Sequence, residues 1–126
     1  EMYEALYREL DEGEHRVYQL KNVQFESGSD QLTNLSTYEL ENLVDFLNDN
    51  EDLRIEIQGH TDDTGDPDAN VTLSQSRADR VAEFLREAGI SPDRYTSVGY
   101  GASQPVDTNS TDAGRANNRR VQIEFL

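Results

Sequence analysis

The sequence predicts an α/β domain in which a mixed four-stranded sheet packs against helices, ordered β-α-β-α-β and then, after a loop, a last β-strand. Three observations carry this expectation. Leu53, Ile55 and Ile57 alternate with Arg54, Glu56 and Gln58, as do Val121, Ile123 and Phe125 with their neighbours, the period of strands with one buried face. Leu40, Leu43, Val44 and Leu47, and later Val71, Ser74, Ala78, Val81, Leu85 and Ala88, fall instead at helical spacing. Strands and helices alternate along the chain, which implies parallel β-α-β crossovers and leaves the last strand free to run antiparallel.

Residues 1–13 read as an N-terminal helical extension or linker and residues 14–126 as one domain. Tyr3, Leu6, Tyr7 and Leu10 share a helical face that stops at Gly13. Val17, Leu20, Val23 and Phe25 suggest extended chain, closed by a turn at Ser27-Gly28-Ser29. The next helix carries Ser36 and Glu39 as a capping box and Leu35 and Leu40 as a hydrophobic staple, and Asn48-Asp49-Asn50 ends it. The strand from Leu53 stops at Gly59. Asp66 and Pro67 then suit the N-cap and first position of a long helix that ends at Gly89. Arg94 to Gly101 reads as a short strand, and the polar stretch Ala102 to Asn118, with Pro105 and Gly114, as a loop.

A chain of 126 residues has room for one real core. Its net charge of −15 arises from 26 acidic against 11 basic residues, with Lys21 the sole lysine. Phosphate backbones are repelled by such a surface, so nucleic acid is not an expected partner. The same acidic, lysine-poor balance resembles proteins of salty habitats, where ions screen the self-repulsion. The absence of cysteine removes disulfides, thiol nucleophiles and Cys-based zinc sites. No apolar run has the length of a membrane span, so no direct membrane insertion by this domain is expected. The first residues do not resemble a signal peptide, and the chain reads as an excised or C-terminal piece of a larger protein.

Two polar clusters exceed what the fold needs. Gly59-His60-Thr61-Asp62-Asp63-Thr64-Gly65 follows a strand and precedes a helix, where open α/β sheets place ligands. Gly114-Arg115-Ala116-Asn117-Asn118-Arg119-Arg120 is the other, its arginines suited to pair with nearby acids and lead the last strand into the sheet. On the long helix Asn70, Leu73 and Arg77 share a face distinct from the inner stripe. Helical side chains lean toward the N-terminus, so Arg77 points back at the Asp62 loop. A carboxylate and a guanidinium converging there suit an amino-acid zwitterion, with its ammonium on Asp62 and its carboxylate on Arg77.

Plainer readings stand beside this one. Asp62 could simply cap its turn, and Arg77 could be solvated. His60 reads as a packing or turn-stabilising residue, since no serine, cysteine or second histidine is placed to form a triad. No catalytic residue and no cofactor is expected. Asp62, Asp63, Asp66 and Asp68 invite calcium, but an EF-hand counted from Asp62 puts Pro67 and Leu73 where Gly and Glu are required, so no metal site is assigned.

The pattern Gly59-His60-Thr61-Asp62, Asn70, Leu73-Ser74, Arg77-Ala78, Val81, Gly89-Ile90, Arg94, Gly99-Tyr100-Gly101, Pro105, Asn109, Thr111, Gly114-Arg115 and Asn118-Arg119-Arg120-Val121 strongly resembles the OmpA-like C-terminal peptidoglycan-binding domain family, from about Val17 to Phe125. The resemblance implies a β-α-β-α-β-β sandwich and a monomeric, non-enzymatic module in the periplasm. Such a module binds the diaminopimelate residue of peptidoglycan stem peptides and anchors an outer-membrane or envelope protein to the cell wall. By position, Asp62 and Arg77 match the family's central acid and arginine, and Thr61, Asn70, Leu73 and Arg119 match supporting positions. Glu26 stands where many members carry Asp after Phe, and its longer side chain would shift one contact. Two other classes remain open: a metal-assisted cell-wall hydrolase using His60, Asp62 and Asp63, and a stator or adaptor domain docking to protein partners.

Overall fold

The computed structural model describes residues 17–19 and 34–126, with side chains described from Thr37 onward. The expected helix over 1–13, the turn at Ser27 to Ser29 and Glu26 lie outside the described residues. In chain order the elements are β1 (Val17–Gln19), α1 (Asn34–Asp49), β2 (Ile55–His60), α2 (Pro67–Glu87), a 3-10 turn (Pro92–Arg94), β3 (Tyr95–Gly99), α3 (Asp112–Asn118) and β4 (Arg120–Phe125). They form a four-stranded sheet ordered β1-β4-β2-β3. The β2–β3 pair is parallel, as a crossover through α2 requires, while β4 runs antiparallel to both β1 and β2. The expected mixed sheet and its packing against helices are therefore present.

One sheet face is apolar. Ile55 and Ile57 of β2 and Val121, Ile123 and Phe125 of β4 are buried against Leu40, Leu43, Phe46 and Leu47 of α1 and Ala78, Val81 and Leu85 of α2. Truncating one such leucine or isoleucine to alanine costs about 2–5 kcal/mol. The opposite face carries a polar ladder in which Gln122 donates to Gln58 (2.8 Å), Gln58 donates to Glu124 (3.0 Å) and Tyr100 donates to Glu56 (2.8 Å).

Several local expectations need correction. Helix α1 begins at Asn34, so Ser36 is already helical and is not the N-cap. Glu39, its supposed capping partner, lies on the buried side of the helix beside Leu40. The inner stripe of α2 comprises Ser74, Arg77, Ala78, Val81 and Leu85, whereas Val71 is 47% exposed and Ala88 is solvent-facing. Val71 sits only one turn from the N-terminus of α2, before the helix meets the sheet, and Ala88 follows its last buried turn. The stretch Ala102 to Asn118 is not all loop, because Thr111 accepts a hydrogen bond from Gly114 N (3.0 Å) and caps α3.

The cap expected on α2 is present: Asp66 accepts from Ala69 N at 2.9 Å, and Pro67 occupies the first turn. Gly89, with φ +93°, takes the left-handed conformation that ends the helix. Helix α2 reaches the sheet closely enough that a Cβ on Gly59 would lie 2.0 Å from Ser74 O, and one on Gly99 2.3 Å from Gln75 N. These contacts press the second and third turns of α2 against the carboxyl ends of β2 and β3, where the polar loop emerges.

Candidate functional site

The loop leaving β2 is fixed from both directions. Thr61 N donates to Gly101 O (3.0 Å), and Gly101 N donates to Ser74 Oγ (2.9 Å), so the loop, the turn after β3 and helix α2 form one unit. Thr61 Oγ1 donates to Asp62 O at 2.8 Å. From the helix side, Asn70 Nδ2 donates to Thr64 O (3.1 Å) and Asp62 O (3.4 Å). The backbone carrying Asp62 is thus held largely by neutral hydrogen bonds.

Asp62 is 5% exposed. Its Oδ1 accepts from Thr64 N (3.0 Å) and its Oδ2 from Arg119 Nη1 (2.7 Å). Burial alone would push the carboxyl upward, but the bonds from Thr64 and Arg119 outweigh it and hold the group below its ordinary value. It is a carboxylate near neutral pH. The plainer reading of Asp62 is therefore correct as far as it goes, since the side chain does cap its own turn, yet the same carboxylate also meets an arginine from the far end of the chain.

A cleft of about 250 Å³ opens beside this loop. Thr61, Asp62, Asn70, Leu73, Arg77 and Arg119 all line it, so these six expected residues are brought together. Arg77 is fully buried, contrary to the view of it as a solvated helix residue, and lies on the inner side of α2 among the residues that line the cleft. Thr64, Gly65, Asp66 and Ala69 also line the cleft. The Asp66-Pro67 helix start, immediately after the polar loop, was the signal that could have included them.

The arginine cluster divides. Arg115 pairs with Asp112 within α3 and Arg119 with Asp62, as expected of arginines among acids. Arg120 departs from that expectation: it is 2% exposed and donates to Gln122 Oε1, Asn118 O and Gln104 O. Its place on the polar sheet face surrounds it with amides and carbonyls. Burial pulls its pKa down to about 10.

His60 is fully buried and stacks on Tyr100, with ring centroids 5.5 Å apart and planes 11° from parallel. Burial, with the positive charge of Arg120 nearby, lowers its pKa to about 4, so the ring is neutral near pH 7. This is a packing role. Among the described residues, no group of three or more His, Cys, Asp or Glu side chains could hold a metal ion. Among the same residues no helix is long and apolar enough to cross a membrane.

The profile of the OmpA family matches residues 24–119. The chain belongs to the OmpA family. Over 85 residues it is 52% identical to outer membrane porin F of Pseudomonas fluorescens, covering 67% of this chain and 26% of the porin. It is 41% identical over 82 residues to the peptidoglycan-associated lipoprotein of Legionella pneumophila, covering 65% of this chain and 47% of that one. The chain thus spans from about a quarter to about half the length of these relatives. The peptidoglycan-associated lipoprotein of Burkholderia pseudomallei superposes with a TM-score of 0.78 at 26% identity, covering 88% of this chain and 90% of that one. The C-terminal domain of Helicobacter pylori MotB gives 0.76 at 27% identity, with 82% of each chain covered. This OmpA-family domain accordingly shares its α/β architecture with both.

Proposed function

We propose that the cleft binds peptidoglycan non-covalently through the zwitterionic end of diaminopimelate in the stem peptide, and that the domain anchors an envelope protein to the cell wall in the periplasm. The observation that carries this reading is the presence of Asp62 and Arg77 in the wall of one small cleft. A carboxylate there offers an acceptor for an ammonium group, and a guanidinium offers parallel donors for a carboxylate. Thr61 and Asn70 hold the loop that presents Asp62, and Leu73 supplies apolar wall beside the ligand's methylene chain. The names of relatives support the polymer as partner: besides the two lipoproteins, a 44% identical Mycobacterium tuberculosis relative is called peptidoglycan-binding protein ArfA.

No bond is made or broken on this reading, and sacculi incubated with the domain and divalent metal ions stay intact. Because the domain carries a net charge of −15 and the wall polymer is itself acidic, long-range attraction cannot drive the encounter. Affinity rests on local contacts, so removing either charged partner costs about 2 kcal/mol. The test is sedimentation with purified sacculi: wild type is retained, while Asp62→Ala and Arg77→Ala, checked for folding by circular dichroism, are lost to the supernatant. Retention of both folded variants at the wild-type level would refute the proposal.

A further inference from the structure

Three arginines at the two ends of the sheet, Arg94 before β3 and Arg119 and Arg120 where β4 begins, are held in different ways. Arg94 donates from Nε to Leu53 O (3.2 Å) and from Nη2 to Leu47 O (2.9 Å) and Asn50 O (2.8 Å). Arg120 likewise bonds Gln122 Oε1 (2.9 Å), Asn118 O (3.4 Å) and Gln104 O (2.9 Å). Both are spread over several acceptors, and moving either would orphan several groups. Arg119 differs: it meets Asp62 through Nη1 alone, and its buried Nε has no hydrogen-bond partner among the described residues. With a fork-shaped group engaged at one prong and a side chain 23% exposed, it is the loosest of the three.

We infer that Arg119 is a displaceable latch on the binding cleft: it occupies the Asp62 oxygen that a ligand's ammonium group must reach, and it swings aside when an amino-acid ligand binds. The inference rests on the reading of the cleft as a zwitterion site. Asp62 Oδ1 accepts from the fixed backbone N of Thr64 and Oδ2 from the side chain of Arg119, and the Asp62 side chain is only 7% exposed with Arg119 in place, so Arg119 is the partner that can give way to admit a ligand. Asn70, Thr61, Gly101 and Ser74 hold the loop without help from Arg119, so its departure leaves Asp62 where it is. Arg119 is therefore an internal competitor of the ligand's cationic end. It keeps the carboxylate neutralised in the empty cleft and weakens binding by the cost of its displacement, which contacts to Arg77 and Leu73 must offset.

Calorimetric titration of the 126-residue chain with meso-diaminopimelate tests this, comparing wild type with Arg119→Gln, Asp62→Asn and Arg77→Gln. Removing a competitor with one partly exposed charged bond should tighten binding by about threefold to fivefold. The latch predicts that gain for Arg119→Gln, together with loss of binding for the other two variants. Unchanged or weaker binding by Arg119→Gln while wild type binds overturns the latch and leaves the zwitterion reading standing. Binding by Arg119→Gln alone supports both, and no binding by either protein overturns both. Should Arg119→Gln fail to fold, the Arg119 Nε–Hε resonance of the wild type decides: it shifts in step with saturation if the side chain is displaced, and its staying fixed at saturation overturns the latch.

Discussion

Arg119 Nη1 lies 2.7 Å from Asp62 Oδ2, joining the loop after β2 to the start of β4 across 57 positions of sequence. The pair is intermediate in burial, with side chains 23% and 7% exposed. Solvent screening on the arginine side limits its net contribution to about 1 kcal/mol. A double-mutant cycle with Asp62→Asn and Arg119→Gln, read by urea unfolding at neutral pH, should return a coupling of that order. The folded carboxyl titrates below its ordinary value, so the contribution is present above the unfolded value of about 4 and is lost as pH falls through the folded one. A coupling that persisted once the carboxyl was protonated would mean that Arg119 is not held by the carboxylate.

His60 gives a second pH dependence, of different origin. Its pKa is lowered from 6.5 to about 4, so the unfolded chain takes up the proton first as pH falls. Stability from the neutral ring is complete above about 6.5 and declines steadily toward pH 4, by about 3 kcal/mol at most. His60→Phe keeps an aromatic ring against Tyr100 and removes the proton. It should flatten the stability profile across this interval, and an unaltered slope would assign the titration to another group.

The junction between sheet and helix is the least tolerant place in the fold. In Gly59→Ala the new methyl would sit 2.0 Å from Ser74 O, and in Gly99→Ala 2.3 Å from Gln75 N, both backbone atoms that cannot turn aside. Each substitution should cost about 3 kcal/mol or more, because α2 must retreat from the sheet. Gly65→Ala offers the contrast: nothing lies within 4 Å, but φ is +85°, so only backbone strain of about 1–2 kcal/mol is expected. Equal losses at Gly59 and Gly65 in thermal unfolding would contradict this division between collision and strain.

The residues that were legible in sequence are those whose role is set by near neighbours. Ile55 and Ile57, and Val121, Ile123 and Phe125, announce their strands by alternation, and Asp66-Pro67 announces a helix start through local capping chemistry. Helix α3 was hidden because Asp112 to Asn118 has no apolar stripe, and its cap at Thr111 lies within a polar run. Arg77 lines the same cleft as Asp62, as its lean along α2 implies, but it is buried where periodicity alone suggests a solvated arginine. Helical periodicity treats an arginine as a solvent-facing residue, and only the close approach of Ser74 to Gly59 and Gly99 shows that this part of α2 is enclosed. The Asp62–Arg119 bond had no local signal, since it depends on β4 lying antiparallel to β2 with His60 opposite Arg120.

Salt should stabilise the domain. With 26 acidic and 11 basic residues, like-charge repulsion is spread over the surface, whereas favourable pairs such as Arg80–Glu83 are exposed and worth little. Screening shortens the range of both, from about 10 Å at 0.1 M salt to about 3 Å at 1 M, so the more numerous repulsions lose more. The urea midpoint should therefore rise with sodium chloride, steeply at first and then level off. Choline chloride separates screening from ion binding. Equal rises in the two salts fit a diffuse ionic atmosphere, whereas a rise with sodium alone would place specific cation contacts on the carboxylates, and a midpoint that stayed flat or fell in both would show that surface repulsion does not limit stability.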